Sequence, residues 1–154
     1  MIMGKYILGI DPGKNGGIAV MRNGRLIFCE KMPATPLDIL TFFSAYQGNA
    51  VAYLEKVGGM PGQGGQAMFT FGQGYGWLEM ALLSSAISTT TVTPQKWQKF
   101  YQIGTAKSCK TKSAWKNKLK AKAQQVFPTV ENITLATADA ILIANYGSSM
   151  ESRK

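Results

Sequence analysis

The dipeptide Asn23-Gly24 constrains this chain more than any other short segment, because of what flanks it. "GIAVMR" precedes it and "RLIFCEK" follows, and both runs are rich in branched and aromatic residues. Asn-Gly accepts positive φ at both positions, so two such runs around it predict a β-hairpin. A third run, "YILGID", lies just upstream across a Pro-Gly-Lys-Asn-Gly turn segment. Strands over 5–11, 16–22 and 25–31 therefore open the chain as an antiparallel meander.

Pro36 then starts "PLDILTFFSAY", with apolar residues at helical spacing. "AVAYLE" (50–55) is apolar almost throughout and reads as a central strand. A glycine-rich stretch, "KVGGMPGQGGQAMFTFGQG" (56–74), reads as a loop of unusual length, and such loops are often functional. "YGWLEMALLSSA" (75–86) reads as a helix that is apolar on more than one side. Such a helix is either deeply buried or lends one face to a dimer partner. "STTTVTP" (88–94) is a strand stopped by proline, and 94–101 is a short helix. Helices over 113–126 and 136–147 follow, the last with Gly147 as its C-cap. This order predicts an α/β fold: a mixed five-stranded sheet with helices on both faces. At 154 residues one domain is expected, over 1–150, with a disordered tail over 151–154.

Composition narrows the chemistry. No apolar run reaches bilayer-spanning length and no signal-peptide pattern is present, so a cytosolic protein is expected, with no membrane partner. Cys29 and Cys109 are the only cysteines and read as reduced thiols. There is no histidine, which removes Ser-His and Cys-His nucleophile pairs and the common zinc motifs. The formal net charge is +9, and it is unevenly placed. No acid lies between Glu79 and Glu131, while Lys96, Lys99, Lys107, Lys110, Lys112, Lys116, Lys118, Lys120 and Lys122 do. Such a block either forms a solvated helix face or attracts a polyanion, nucleic acid first. The interleaved Trp97, Phe100, Tyr101 and Trp115 favour nucleic acid, since aromatic rings stack on bases.

Only eight acids are present, and three sit in the most apolar segments. Asp11 ends the first strand, Glu55 ends the fourth, and Asp139 lies within "ATADAILIA". Each has an ordinary reading. Asp11 precedes Pro-Gly and suits a turn; Glu55 could pair with a lysine at a sheet edge; Asp139 could complement the N-terminus of the last helix. Taken together, three acids in apolar surroundings repel unless a cation holds them. Oxygen-only ligands favour Mg²⁺ or Mn²⁺. Two such ions, roughly 3.5–4 Å apart, would clamp the attacking water and the leaving oxygen of a phosphodiester. Asp11 would bridge both ions, with Glu55 on one and Asp139 on the other. The glycine-rich stretch lacks a phosphate-loop motif, so no nucleotide cofactor is expected. It reads as a rim beside Glu55, and Phe69 is a candidate wedge for an opened base step.

"ILGIDPGKNGGIAV", "YLEKVGGMPGQGGQAMFTFGQGYGWLEMAL", "VTPQKWQK", "VFP" and "ADAILIANYG" occur in an order that resembles the RuvC-type Holliday junction resolvases, above all their short phage-encoded relatives. The resemblance spans nearly the whole chain. It implies an RNase H-like fold and a Mg²⁺-dependent endonuclease that nicks branched DNA as a homodimer. Asp11, Glu55 and Asp139 match the family's metal-binding acids. Lys107, Lys110 and Lys112 lie where the family carries basic DNA-contacting residues, and Lys96 and Lys116 extend that set. "GIDPGKNGG" is also faintly similar to the phosphate loop of actin-like sugar kinases, which need two such domains and a second loop.

This chain departs from the family at two places. The fourth metal ligand usually stands three or four residues before the last aspartate, where Ala136 and Leu135 stand here. Glu131, Asn132 or water would have to replace it, or one metal is weakly held. An aromatic that follows the strand-ending glutamate in some relatives is replaced by Gly58, Gly59 and Met60, which leaves Phe69 as the substitute. Two readings follow: a two-metal junction endonuclease, or a branched-DNA-binding protein with weak or no cleavage.

Overall fold

The computed structural model describes residues 4–58 and 62–154. Its central sheet runs β3-β2-β1-β4-β5. The strands are β1 (Tyr6–Asp11), β2 (Gly17–Arg22), β3 (Arg25–Lys31), β4 (Ala50–Glu55) and β5 (Ser88–Val92). The meander is antiparallel, as the Asn23-Gly24 turn requires, with both residues at positive φ. β4 and β5 then add in parallel on the other side of β1. The sheet is therefore mixed and five-stranded, as the sequence predicts.

Alternation along the strands sends two sets of side chains to opposite faces. Leu8, Ile10, Ile18, Val20, Ala52 and Leu54 pack beneath α1 (Pro36–Ser44) and α2 (Gly65–Ser84). Ile7, Ala19, Met21 and Tyr53 pack beneath α5 (Leu135–Glu151), with α3 (Pro94–Phe100) and α4 (Lys112–Val126) around it. α5 lies close on the sheet because β1 offers Gly9 beneath it, where a Cβ would collide with the backbone of Ala140 and Ala144.

The structure moves several boundaries. α2 begins at Gly65, so much of the glycine-rich stretch read as a loop is helix; residues 59–61, including Gly59 and Met60, lie outside the described residues. Glycine in a helix costs about 1 kcal/mol relative to alanine. The buried row Leu78, Ala81 and Leu82 and the half-buried Phe71 and Tyr75 anchor the helix despite that cost. Gly147 is not a C-cap: α5 runs through it to Glu151, and a Cβ there would lie 2.5 Å from the Tyr53 ring. The glycine makes room for a tyrosine. The helix thus reaches one residue into the segment expected as a tail, and Tyr53 Oη donates to Glu151 Oε1 at 2.7 Å. Both cysteines are unpaired thiols. Among the described residues no helix is long and apolar enough to cross a membrane.

Candidate metal and nucleic-acid site

The sheet register sets the site. β1 and β4 are parallel, and Ile10 pairs with Leu54. Asp11 and Glu55 are the next residues on these adjacent strands, so both leave the sheet at one end and at one level. Two-residue periodicity turns both toward the α5 face, with Gly9 and Tyr53. β4 lies between two strands, so Glu55 is not at a sheet edge. Asp11 and Glu55 are both buried.

Asp139 reaches the same region from α5. Thr134 caps this helix in a capping box with Thr137, so Asp139 stands in the second turn and does not cap it. It is 4% exposed. One carboxylate oxygen, Oδ2, accepts from Lys116 Nζ of α4 at 2.6 Å. The other, Oδ1, is buried with no hydrogen-bond partner among the described residues. Glu55 Oε2 accepts from Trp97 Nε1 of α3, also at 2.6 Å.

The three acids act on one another. Burial, then the charges of Asp139 and Glu55, hold the Asp11 carboxyl well above the usual carboxylate range, against a smaller opposing pull from Lys116. Burial pushes Glu55 up to about 7; the Trp97 hydrogen bond and Lys116 oppose the rise, and Asp139 adds to it. Burial works to lower the Lys116 pKa, but Asp139, Asp11 and Glu55 together raise it. The pocket thus gathers three acids around one lysine, and the charged forms of Asp11 and Glu55 are disfavoured there. As they stand, no three His, Cys, Asp or Glu side chains among the described residues are drawn tightly enough together to hold a metal ion. The donors nevertheless fit a hard divalent cation: all are carboxylates, and one buried oxygen has no partner among the described residues.

Trp97 and Lys116 are contributions that sequence reading misplaced. Trp97, Tyr101 and Trp115 read as stacking platforms but are buried in the core, so they cannot meet bases. On α4, Trp115, Leu119 and Ala123 recur every four residues and face inward. Lys116 flanks that buried row, and this spacing is the available signal that it turns toward the sheet. Lys96, Lys107, Lys110 and Lys112 are exposed, as phosphate contacts require. Phe69 is 71% exposed on α2. Glu131 and Asn132 are exposed in the α4–α5 connection, and Glu131 is not among the charges acting on Asp11 or Glu55. Nothing among the described residues brings either one in as the fourth ligand.

No protein-family model matches the sequence, and no curated protein matches it. Comparison of folds is informative. The chain has an α/β, RNase H-like fold, shared with the solved structures that follow. It superposes on Thermus thermophilus RuvC with a TM-score of 0.68 and 13% identity, covering 96% of this chain and 95% of that one. The same protein in complex with Holliday junction substrate gives 0.68 at 14% identity, covering 97% and 95%. A Fowlpox virus resolvase in complex with Holliday junction DNA gives 0.51 at 16% identity, covering 93% and 99%.

Proposed function

We propose that this chain is a divalent-metal-dependent endonuclease that nicks four-way junctions or other branched DNA. One observation carries the reading. Two adjacent strand ends and one helix bring Asp11, Glu55 and Asp139 close enough to act on one another, around a buried oxygen that has no partner among the described residues. The fold supports the class, and two of the similar structures contain Holliday junction DNA.

Asp11, Glu55 and Asp139 would hold the cation, Mg²⁺ or Mn²⁺. When bound, it supplies Lewis-acid polarisation of a phosphoryl oxygen and lowers the pKa of a water. Trp97 would fix the Glu55 carboxylate through its hydrogen bond to Oε2. Lys96, Lys107, Lys110 and Lys112 draw in phosphates and set register without reading bases. Phe69, standing clear of α2, is suited to wedge an opened base step. Further along α2, Gly76, Met80 and Leu83 form an exposed stripe, with Met80 62% and Leu83 74% exposed. That stripe suits packing against a second copy, and a two-fold dimer would carry two sites for a junction's paired strands.

The test is cleavage of a labelled four-way junction in Mg²⁺ and in Mn²⁺, beside a gel shift in chelator. Asp11→Asn should lose scission and retain binding; loss of both would contradict the assigned role. A second reading, a branched-DNA binder that does not cut, is favoured by Ala136 at the fourth-ligand position. Absence of scission by the wild-type chain in both metals would select it.

A further inference from the structure

We propose that the outer edge of β3, with the cavity it shares with α1, docks an extended segment of a partner protein that carries a basic residue and an apolar residue two positions apart. The segment would add to the sheet as a further strand, antiparallel to β3. This surface stands apart from the acidic site and does not depend on the nuclease reading.

The backbone comes first. β3 ends the sheet and pairs only with β2 among the described residues. Met32 N donates to Gly16 O at 2.9 Å. Hydrogen-bonded and non-hydrogen-bonded pairs alternate along an antiparallel ladder. Phe28 and Glu30 therefore bond to β2, while the N–H and C=O of Cys29 and Lys31 face outward along the edge. Such an edge is a template for another chain. It is bounded on both sides. Ile27 is the extra residue where the register shifts between the Met21–Leu26 and Val20–Phe28 pairs, and Pro33 has no N–H to give. Phe28 to Met32 is the regular stretch between them.

Side chains then select the occupant. Alternation turns Phe28, Glu30 and Met32 toward α1. Phe28 is 45% exposed and stacks on Phe42, with ring centroids 6.3 Å apart. Beside that pair, Glu30, Lys31, Met32, Asp38, Thr41 and Phe42 line a cavity of about 450 Å³. Lys31 borders it, but alternation sends its side chain to the other face of the sheet. Two of the eight acids in a chain of net charge +9 thus meet here, and neither is in an ion pair among the described residues. Asp38 Oδ2 accepts only from Thr35 Oγ1, at 2.7 Å, and burial raises the Glu30 pKa with no cation opposing it. A partner's ammonium or guanidinium opposite Glu30 answers that charge. An apolar side chain two residues on covers Phe28 and Phe42. The acids repel phosphate, which disfavours nucleic acid on this edge. A second copy fits poorly too: antiparallel pairing about Phe28 sets Arg25 of one chain against Lys31 of the other.

The probe is the end-blocked peptide Thr-Arg-Thr-Leu-Thr, titrated into the isotope-labelled full-length chain without DNA and followed by amide chemical shifts. Saturable shifts confined to β3 and α1 are expected. Shifts centred on Asp11, Glu55 and Asp139, or none that saturate, would overturn the docking site. Exchanging the peptide's arginine for glutamate should weaken binding about tenfold or more; equal affinity for the two peptides would also overturn it. Glu30→Lys should reverse the preference, weakening the arginine peptide and rescuing the glutamate one. A folded Glu30→Lys chain that keeps the wild-type preference contradicts the role of Glu30, and if that variant does not fold the peptide exchange on the wild type still decides. N-methylation of the central threonine removes the N–H that would donate to the Cys29 C=O, and it should abolish the shifts; binding that survives it means no strand is added. Sedimentation of the free chain gives the last check. A change of oligomeric state in Glu30→Lys would show that a second copy covers this edge, and the partner segment would be ruled out.

Discussion

The two ends of α5 are built from the same parts and behave oppositely. At the C-terminal end, Glu151 meets a side chain of β4 and a lysine: Tyr53 Oη donates at 2.7 Å and Lys154 Nζ at 2.6 Å. Burial works to raise Glu151, but those two donors, with the charge of Lys154, outweigh it and lower its pKa. Near the N-terminal end, Asp139 also shares its surroundings with a β4 side chain and a lysine, Glu55 and Lys116. Here the β4 residue is a second acid and β1 adds a third. Asp11 and Glu55 are pushed up, and a buried oxygen lacks a partner among the described residues. One end is a finished structural contact. The other gathers acids that are not satisfied by their neighbours and that, on the proposed reading, an added cation would complete.

Breaking the unsatisfied end should have the largest effect. Asp11→Asn should reduce junction cleavage about a thousandfold or more, the equivalent of several kcal/mol of transition-state stabilisation. The same substitution should raise the melting temperature of the metal-free protein at alkaline pH, because it removes a repelled charge. A fall in that temperature would mean Asp11 is stabilising and the contrast between the two ends is false.

The pH dependence sharpens the comparison. Glu55 has a folded pKa of about 7, above its ordinary value of 4.5. The stability it contributes is therefore fully present below the ordinary value and lost as pH rises through the folded one, by up to about 3 kcal/mol. Asp11, shifted the same way, adds to the loss. Glu151 has the opposite sign: its contribution is present above the ordinary glutamate range and lost as pH falls. Urea unfolding in chelator, from mildly acidic to mildly alkaline pH, should show the decline in wild type and a shallower one in Glu55→Gln. Identical profiles for the two proteins would contradict the shift at Glu55.

Trp97→Phe keeps a ring in the core but removes the donor to Glu55. It should cost about 1–3 kcal/mol and weaken Mn²⁺ binding; an unchanged Mn²⁺ affinity would show that Trp97 only packs. Replacing Lys107, Lys110 and Lys112 by alanine should lower the salt slope of DNA binding by about 3 if each meets one phosphate, with the melting temperature nearly constant. Glu151→Gln should have the smallest effect, about 1 kcal/mol or less in stability and none on cleavage.

Much of this is readable in the sequence because local physics decides it. Asn23-Gly24 announces the hairpin, and apolar runs ending in acids mark Asp11 and Glu55. Where tertiary contacts decide, the residues alone mislead. Gly65, Gly72 and Gly74 argue against a helix, yet buried partners further along carry α2 through all of them. Gly147 has the look of a cap until Tyr53 is seen beneath it. Trp97 and Lys116 belong to segments that read as a DNA-facing block. The four-residue row on α4 hints that Lys116 turns inward. Which acids the two side chains meet depends on how α3 and α4 dock beside α5, and local patterning does not encode that.

The central claim is that the acidic end of α5 is completed by a divalent cation. Thermal unfolding at mildly alkaline pH, in chelator and then in excess Mn²⁺, tests it without DNA or catalysis. At about a hundredfold excess over Kd, the wild-type melting temperature should rise by roughly 5–10 °C, while Asp11→Asn should scarcely respond. A wild-type curve that Mn²⁺ leaves in place would contradict the account.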